Sequence, residues 1–271
     1  MRLLDISIVS YAPERRTLYL TLSSLARALQ SFPPEDVKVF LVDNGPASNV
    51  SLLRGCASPL LEGGYDVEIL SGHGNTGYGP AHDLAIVDDG ARYHLVLNPD
   101  VILDNEALRV GVDFLDANPG VVLAAPHMSS PSGQHQASCK RHPSIFTFFL
   151  RGFAPEFLRR RFHRRLEHFE MTDLIGPETT EPVLGVPATT GAFMLMRKDA
   201  AQSVGGFGNH YFLYFEDFDL SMRLREVGEV AYLPRMRIIH EGGNTARKGW
   251  RHLGYFLRSA ITFFNRHGWR W

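Results

Sequence analysis

The chain alternates short apolar runs with segments whose apolar residues recur at helical spacing. Asp5 to Ser10 (DISIVS) predicts a buried strand, Tyr11-Ala12-Pro13 a turn, and Leu18, Leu22, Leu25 and Leu29 one face of a helix. Val37 to Val42 (VKVFLV) predicts a second strand ending in Asp43-Asn44-Gly45, and Asp66 to Leu70 a third ending in a glycine-rich loop. A further strand starts at Tyr93 and stops at Asn98-Pro99-Asp100, and others are expected at Gly120 to Pro126 and Gly191 to Arg197. Shorter strand-like pieces follow at Val230 to Leu233 and Arg237 to Ile239. This order implies right-handed crossovers and an α/β fold, Rossmann-like, with a mainly parallel central sheet and helices on both faces. Ligands are then expected beyond the carboxyl ends of the strands.

Composition acts mostly by exclusion. The 271 residues, 44% of them hydrophobic, suffice for one large domain or two small ones with a substantial core. A formal net charge of −1 gives no global field that would point to nucleic acid as a partner. Cys56 and Cys139 are the only cysteines, too few for a disulfide framework and without metal-site spacing, which suits a reducing cytoplasm. There is no apolar leader and no run of about 18 apolar residues, so neither export nor a membrane span is expected.

The strand ends carry the candidate chemistry. Asp43 can accept a hydrogen bond from a pyrimidine N–H, or simply open the Asp-Asn-Gly turn. In Ser71 to Ala81 (SGHGNTGYGPA) four glycines allow close backbone approach to a ligand before a helix near Pro80; an ordinary tight loop is the alternative, and neither the Rossmann nor the Walker pattern is present. Asp100, at a strand end behind a proline, offers a carboxylate to magnesium or manganese, or a solvated turn. His240, before Glu241-Gly242-Gly243, offers a metal or phosphate contact, or a structural histidine.

Glu216, Asp217 and Asp219 open a segment in which Leu220, Leu224 and Val227 keep helical spacing and Gly228 closes it. A helix N-terminus favours their ionised forms unless burial opposes it. The preceding Tyr211, Phe212, Tyr214 and Phe215 are expected to bury that start in a cleft; a capped, charge-balanced surface helix is the alternative. Elsewhere His127, His135, His142, His163 and His168 show no zinc spacing and read as scattered surface residues. From Ile145 to Phe169, Phe146, Phe148, Phe149, Phe153, Phe157 and Phe162 interleave with Arg151, Arg159, Arg160, Arg161, Arg164 and Arg165, and Arg247 to Trp271 is basic and aromatic without an acidic residue. Such segments either dock on an anionic membrane surface or turn their rings to the core and their arginines outward.

The ordered set SIVSY, LVDN, GNTGYGPA, LNPDV, TGAFMLMRKDA, GGF, FLYFEDFDLSMRLREVG and IIHEGG resembles glycosyltransferase family 2, and within it the bacterial rhamnosyltransferase-like enzymes of cell-surface polysaccharide (O-antigen) assembly. The resemblance reaches to about residue 245. It implies a GT-A fold over 1–245, with a nucleotide-sugar-binding half at about 1–125, a catalytic and acceptor half at about 185–245, the basic insert at 141–170 and a tail at 246–271. It also implies inversion at the anomeric carbon, a divalent metal (Mg2+ or Mn2+) and a nucleotide-sugar donor, dTDP-rhamnose first, with another UDP- or GDP-sugar or a catalytically silent binding module as alternatives. The acceptor would be a glycan or a polyprenyl-diphosphate-linked glycan, and the place of work the inner face of the cytoplasmic membrane.

Carried over by position, Asp217 would be the catalytic base. Ser10, Tyr11, Asp43, Asn75, Gly77, Asn98 and Asp100 would contact the donor, with Asp43 reading the base. Asp100 and His240 would hold the metal, and Gly191, Glu216 and Asp219 would meet the acceptor or support the site. Two departures stand out: Asn98 replaces the first carboxylate of the family's Asp-x-Asp pattern, and His82-Asp83 stand where relatives often carry asparagines.

Overall fold

The computed structural model describes residues 1–45, 49–87, 90–152, 154–242 and 249–271. Phe153, Gly243 and Arg247, named above, lie outside the described residues. The strands are β1 (Arg2–Ser10), β2 (Val37–Asp43), β3 (Asp66–Leu70), β4 (Ala91–Leu97), β5 (Val101–Leu103), β6 (Val121–Ser129), β7 (His135–Gln136), β8 (Cys139–Lys140), β9 (Val183–Leu184), β10 (Ala188–Thr189), β11 (Phe193–Arg197) and β12 (Glu229–His240). The helices are α1 (Arg15–Ala28), α2 (Asn49–Cys56), α3 (Ser58–Glu62), α4 (Tyr78–Ile86), α5 (Ala107–Ala117), α6 (Ile145–Gly152), α7 (Glu156–Arg161), α8 (His163–Phe169), α9 (Lys198–Ser203), α10 (Glu216–Leu224) and α11 (Gly249–His267).

One sheet runs β3-β2-β1-β4-β11-β6-β12-β5, with β7 beside β6 and β9 beside β12. The β3-β2-β1-β4 half is parallel, as is the β6-β12 pair, whereas β11 and β5 run against their neighbours. The two pieces expected at Val230 and Arg237 are one strand, β12, with a register shift between Leu233 and Arg237 where Pro234 withholds an N–H.

Strand alternation sorts the core into two layers. Leu4, Ile6 and Ile8 join Val37, Val39, Leu41, Tyr93, Leu95 and Leu97 against Leu18, Leu22 and Leu25 of α1. On the opposite face Val96, Leu123, Met194 and Met196 meet Phe207 and the Leu220 and Leu224 stripe of α10. That second face also buries polar groups. Asp5 pairs with Lys198 (2.5 Å) and Arg2 (2.9 Å). Ser7 Oγ sits between His82 Nδ1 (2.6 Å) and His94 Nε2 (2.8 Å). Burial lowers both histidines, His94 to about 3, so the trio is neutral at ordinary pH.

A third cluster is built on the outer side of α10. Phe215 and Phe218 meet Phe148 of the insert and Phe256 and Phe263 of α11, with the Phe148 and Phe215 rings 4.8 Å apart. These rings serve the core, whereas Phe157 (69% exposed), Trp269 and Trp271 (82% exposed) face water, as do Arg159, Arg160 and Arg161. Within both basic segments, then, some rings pack into the core and others are exposed.

Candidate active site

Parallel strands deliver Ser10, Asp43 and the Asn98-Pro99-Asp100 turn to one edge of the sheet. Because β11 runs the other way, its beginning lies there too: Asn98 N donates to Ala192 O at 2.9 Å, and Gly191 comes just before. The end of β12 pairs with β5, placing His240 opposite Val101. His240 Nε2 is thereby 3.4 Å from Asp100 Oδ1 and 3.5 Å from Asn98 Nδ2.

Asp43 is buried, and its two oxygens divide the alternatives. Oδ1 accepts from Gly45 N (2.9 Å) and Asn49 Nδ2 (3.3 Å), which is the turn; Oδ2 is buried without a partner among the described residues. Asn44 anchors the glycine loop, donating to Gly77 O at 2.7 Å and lying 3.1 Å from His73 Nε2. Gly77 adopts φ +100°, and a Cβ there would overlap the Phe212 backbone, whose carbonyl accepts Tyr78 N at 2.9 Å. Asn75 Oδ1 accepts Gly77 N at 3.1 Å, while Tyr11 is exposed.

Two successive non-glycine residues in the left-handed region, Tyr214 (φ 72°) and Phe215 (φ 69°), turn the chain into α10. Each costs on the order of 1 kcal/mol or more, and the packing of Phe215 in the aromatic cluster offsets it. The turn brings Asp217 Oδ2 to 2.9 Å from Gly191 N, while Oδ1 accepts Phe218 N at 2.9 Å. Beside it Tyr78 Oη lies 2.6 Å from Gly191 O and 2.8 Å from Asn98 Oδ1, and its one proton serves one acceptor at a time. Burial, then the charges of Glu216, Asp217 and Asp100, keeps this phenol protonated.

Burial raises the pKa of Asp217, against the two backbone N–H groups and the nearby Lys140 that favour its charge. Glu216 is pushed up to about 8, first by burial and then by Asp217, and its Oε2 has no partner among the described residues. Burial, with Asp217 adjacent, keeps Glu216 protonated at neutral pH, whereas Asp217 has backbone N–H groups and Lys140 to favour its charge. Lys140, almost fully buried, is itself lowered to about 8 by burial.

Asp219 stands apart from this pair. It is fully buried and meets Arg223 Nε (2.7 Å), His267 Nε2 (2.8 Å), Tyr211 Oη (3.2 Å) and Arg266 (3.4 Å), tying α10 to α11. Burial pushes its pKa up, but His267 and Arg223 outweigh burial and hold it below the usual value. His82 and Asp83 are likewise occupied within the fold: His82 contacts Ser7, and Asp83 accepts Phe207 N and Gly208 N, each at 2.8 Å.

Asp100 Oδ1, buried and without a hydrogen-bond partner among the described residues, faces His240 Nε2, and this oxygen and nitrogen fit a hard divalent cation as two donors. Among the described residues no group of three or more His, Cys, Asp or Glu could hold a metal, so any remaining ligands would be water and substrate oxygens. Sequence reasoning did not single out Tyr78 or Lys140. Tyr78 lies within GNTGYGPA, whereas Lys140, in a two-residue strand, gave no signal.

No family model matches the chain. It is 27% identical over 282 residues to the N-acetylglucosaminyl-diphospho-decaprenol L-rhamnosyltransferase of Mycobacterium tuberculosis (strain ATCC 25618 / H37Rv), covering 98% of this chain and 86% of that protein. It is 24% identical over 177 residues to rhamnosyltransferase WbbL of Escherichia coli (strain K12), covering 64% of this chain and 62% of that one. Among solved structures, the mannosyltransferase PcManGT from Pyrobaculum calidifontis with GDP-Man and Mn2+ superposes with a TM-score of 0.62 at 15% identity, over 95% of this chain and 64% of that one. GalNAc-T7 with UDP, GalNAc and Mn2+ gives 0.62 at 14% identity over 88% of this chain, which spans 43% of it. S. aureus TarS 1-349 with UDP-GlcNAc gives 0.61 at 13% identity, over 98% and 67%.

The fold is that of the GT-A glycosyltransferases. Within that class the chain resembles the bacterial rhamnosyltransferases of glycosyltransferase family 2, as its ordered motifs implied.

Proposed function

We propose that this protein is an inverting glycosyltransferase that moves a sugar from a nucleoside-diphosphate donor to a hydroxyl of a lipid-linked glycan. The observation that carries this reading is the Asp217 carboxyl group, aimed by Gly191 N–H beside Tyr78, Asn98 and Asp100 at the strand ends. In the proposed step Asp217 takes the acceptor hydroxyl proton as that oxygen bonds to the anomeric carbon. The bond from that carbon to the diphosphate breaks on the opposite face and the diphosphate leaves with the electron pair, so one displacement inverts the centre. Asp43 Oδ2 would accept the N–H of the base, with Ser10, Tyr11, Asn75, Gly77 and Asn98 along the donor. A divalent cation bound at Asp100 and His240 would supply positive charge to the departing diphosphate. Glu216 would stay neutral beside the base, and Asp219 would hold α10 in place.

Rhamnose as the sugar is supported by the names of the two curated relatives, and a polyprenyl-diphosphate acceptor by that of the mycobacterial one. Work at a membrane face is supported by the exposed rings and arginines of the insert and tail; among the described residues no helix is long and apolar enough to cross a membrane. Thermal-shift and transfer assays with Mn2+ and dTDP-rhamnose, UDP-GlcNAc or GDP-mannose test the proposal, because a bound donor raises apparent stability. A dTDP-rhamnose shift with transfer to a diphosphate-lipid acceptor is expected. No transfer from any donor would leave the silent binding module.

A further inference from the structure

The insert and the C-terminal segment enclose a second concavity, a pocket of about 560 Å³ against the far half of α10. Arg141, Arg165, Arg225 and Arg270 line it with His142 and His168, and no carboxylate is among the lining residues. Asp173 lies 2.6 Å from Arg141 and 3.6 Å from His168 Nδ1. Arg165 donates to Ser144 Oγ (2.9 Å) and Trp271 O (2.7 Å), which sets its position at the wall. Arg225 and Arg270 are exposed, and neither side chain has a hydrogen-bond or ion-pair partner among the described residues. Ser144 and Thr147, at the amino end of α6, line the same pocket and add that helix terminus to the positive field.

Like charges gathered around a concave wall repel one another until an anion shares them, and guanidinium forks match phosphate oxygens. Two arginines without a counter-charge, Arg225 and Arg270, beside Arg141 and Arg165, suit more than one negative charge. We infer that this pocket is a second anion site that takes a diphosphate group, separate from the strand-end cleft. Arg225 lies eight residues beyond Asp217, about 12 Å along the α10 axis at roughly 1.5 Å per residue. Two sources carry this chemistry: a soluble diphosphate, or the diphosphate of a lipid-linked glycan. Only the second rests on the acceptor proposed above.

The test is calorimetric titration of the full chain with inorganic pyrophosphate in EDTA, comparing wild type, Arg225→Ala/Arg270→Ala and Asp100→Ala. Saturable, salt-sensitive binding is expected, weakened about tenfold or more in the double arginine variant and unchanged in Asp100→Ala. Farnesyl diphosphate separates the sources: binding about tenfold tighter than pyrophosphate assigns the lipid headgroup, and equal binding assigns a soluble diphosphate. The inference is overturned if wild type does not bind pyrophosphate, if the double variant binds it as tightly as wild type, or if only Asp100→Ala loses it. Because the readout is binding and neither arginine belongs to the proposed transfer machinery, a negative result leaves the role of Asp217 standing.

Discussion

The backbone N–H of Gly191 donates to Asp217 Oδ2 at 2.9 Å, joining the turn that leads into β11 to the first turn of α10. One carboxylate is thus positioned from two elements far apart in the chain, and the strained Tyr214-Phe215 turn supplies the approach. The neighbouring Glu216 completes the electrostatics by staying neutral.

Glu216 gives a prediction with a definite sign. Its folded pKa, about 8, lies above the ordinary 4.5, so the folded state binds more protons between those values and stability falls as pH rises through that window, levelling off above it. Glu216→Gln cannot ionise, so its stability relative to wild type is expected to climb from about pH 5 to about pH 8. Urea denaturation of both proteins at the two pH values measures this; a pH-independent difference would contradict it.

Asp100→Ala and His240→Ala should each lose metal-dependent donor binding while remaining folded. Titrating the donor with and without Mn2+ reads this directly. Undiminished manganese-dependent affinity in either variant removes that residue from the proposed metal pair.

Asp219→Ala should act on stability. It leaves Arg223 buried without its 2.7 Å partner and releases His267, so a loss of about 3–5 kcal/mol is expected by chemical denaturation. A loss below about 1 kcal/mol would show that the α10 to α11 network contributes little.

The parallel half of the sheet and the strand-end residues were legible because apolar runs and turn residues mark them locally. The direction of β11 was not: a strand buried on both faces reads alike in either sense, so nothing in GAFMLMR showed that Gly191 would open it at the site. Helical spacing could not tell core-facing Phe148 from exposed Phe157, since the partner surface comes from α11 about a hundred residues later. The histidines also divide: His163 and His168 are exposed as expected, but His127, His135 and His142 are partly buried, with the His127 and His135 rings 5.0 Å apart. The pairing of His240 with Asp100 depends on the β12 to β5 register, which local sequence does not encode.

Membrane docking is expected to be reversible and salt-sensitive, with each basic residue near an anionic surface worth roughly 1 kcal/mol. Flotation with phosphatidylglycerol vesicles at low and high salt measures it, and charge reversal at Arg159, Arg160 and Arg161 should weaken it. If the wild-type protein does not float at low salt, the exposed rings have another role.

The most direct measurement is rhamnosyl transfer from dTDP-rhamnose to an N-acetylglucosaminyl-diphospho-lipid acceptor by wild type and Asp217→Asn, with donor affinity measured in parallel. The amide keeps the shape of the side chain but cannot accept the proton, so turnover is expected to fall by about 10²–10⁴-fold with donor binding nearly unchanged. Wild-type turnover in Asp217→Asn would contradict the assignment of Asp217 as the base.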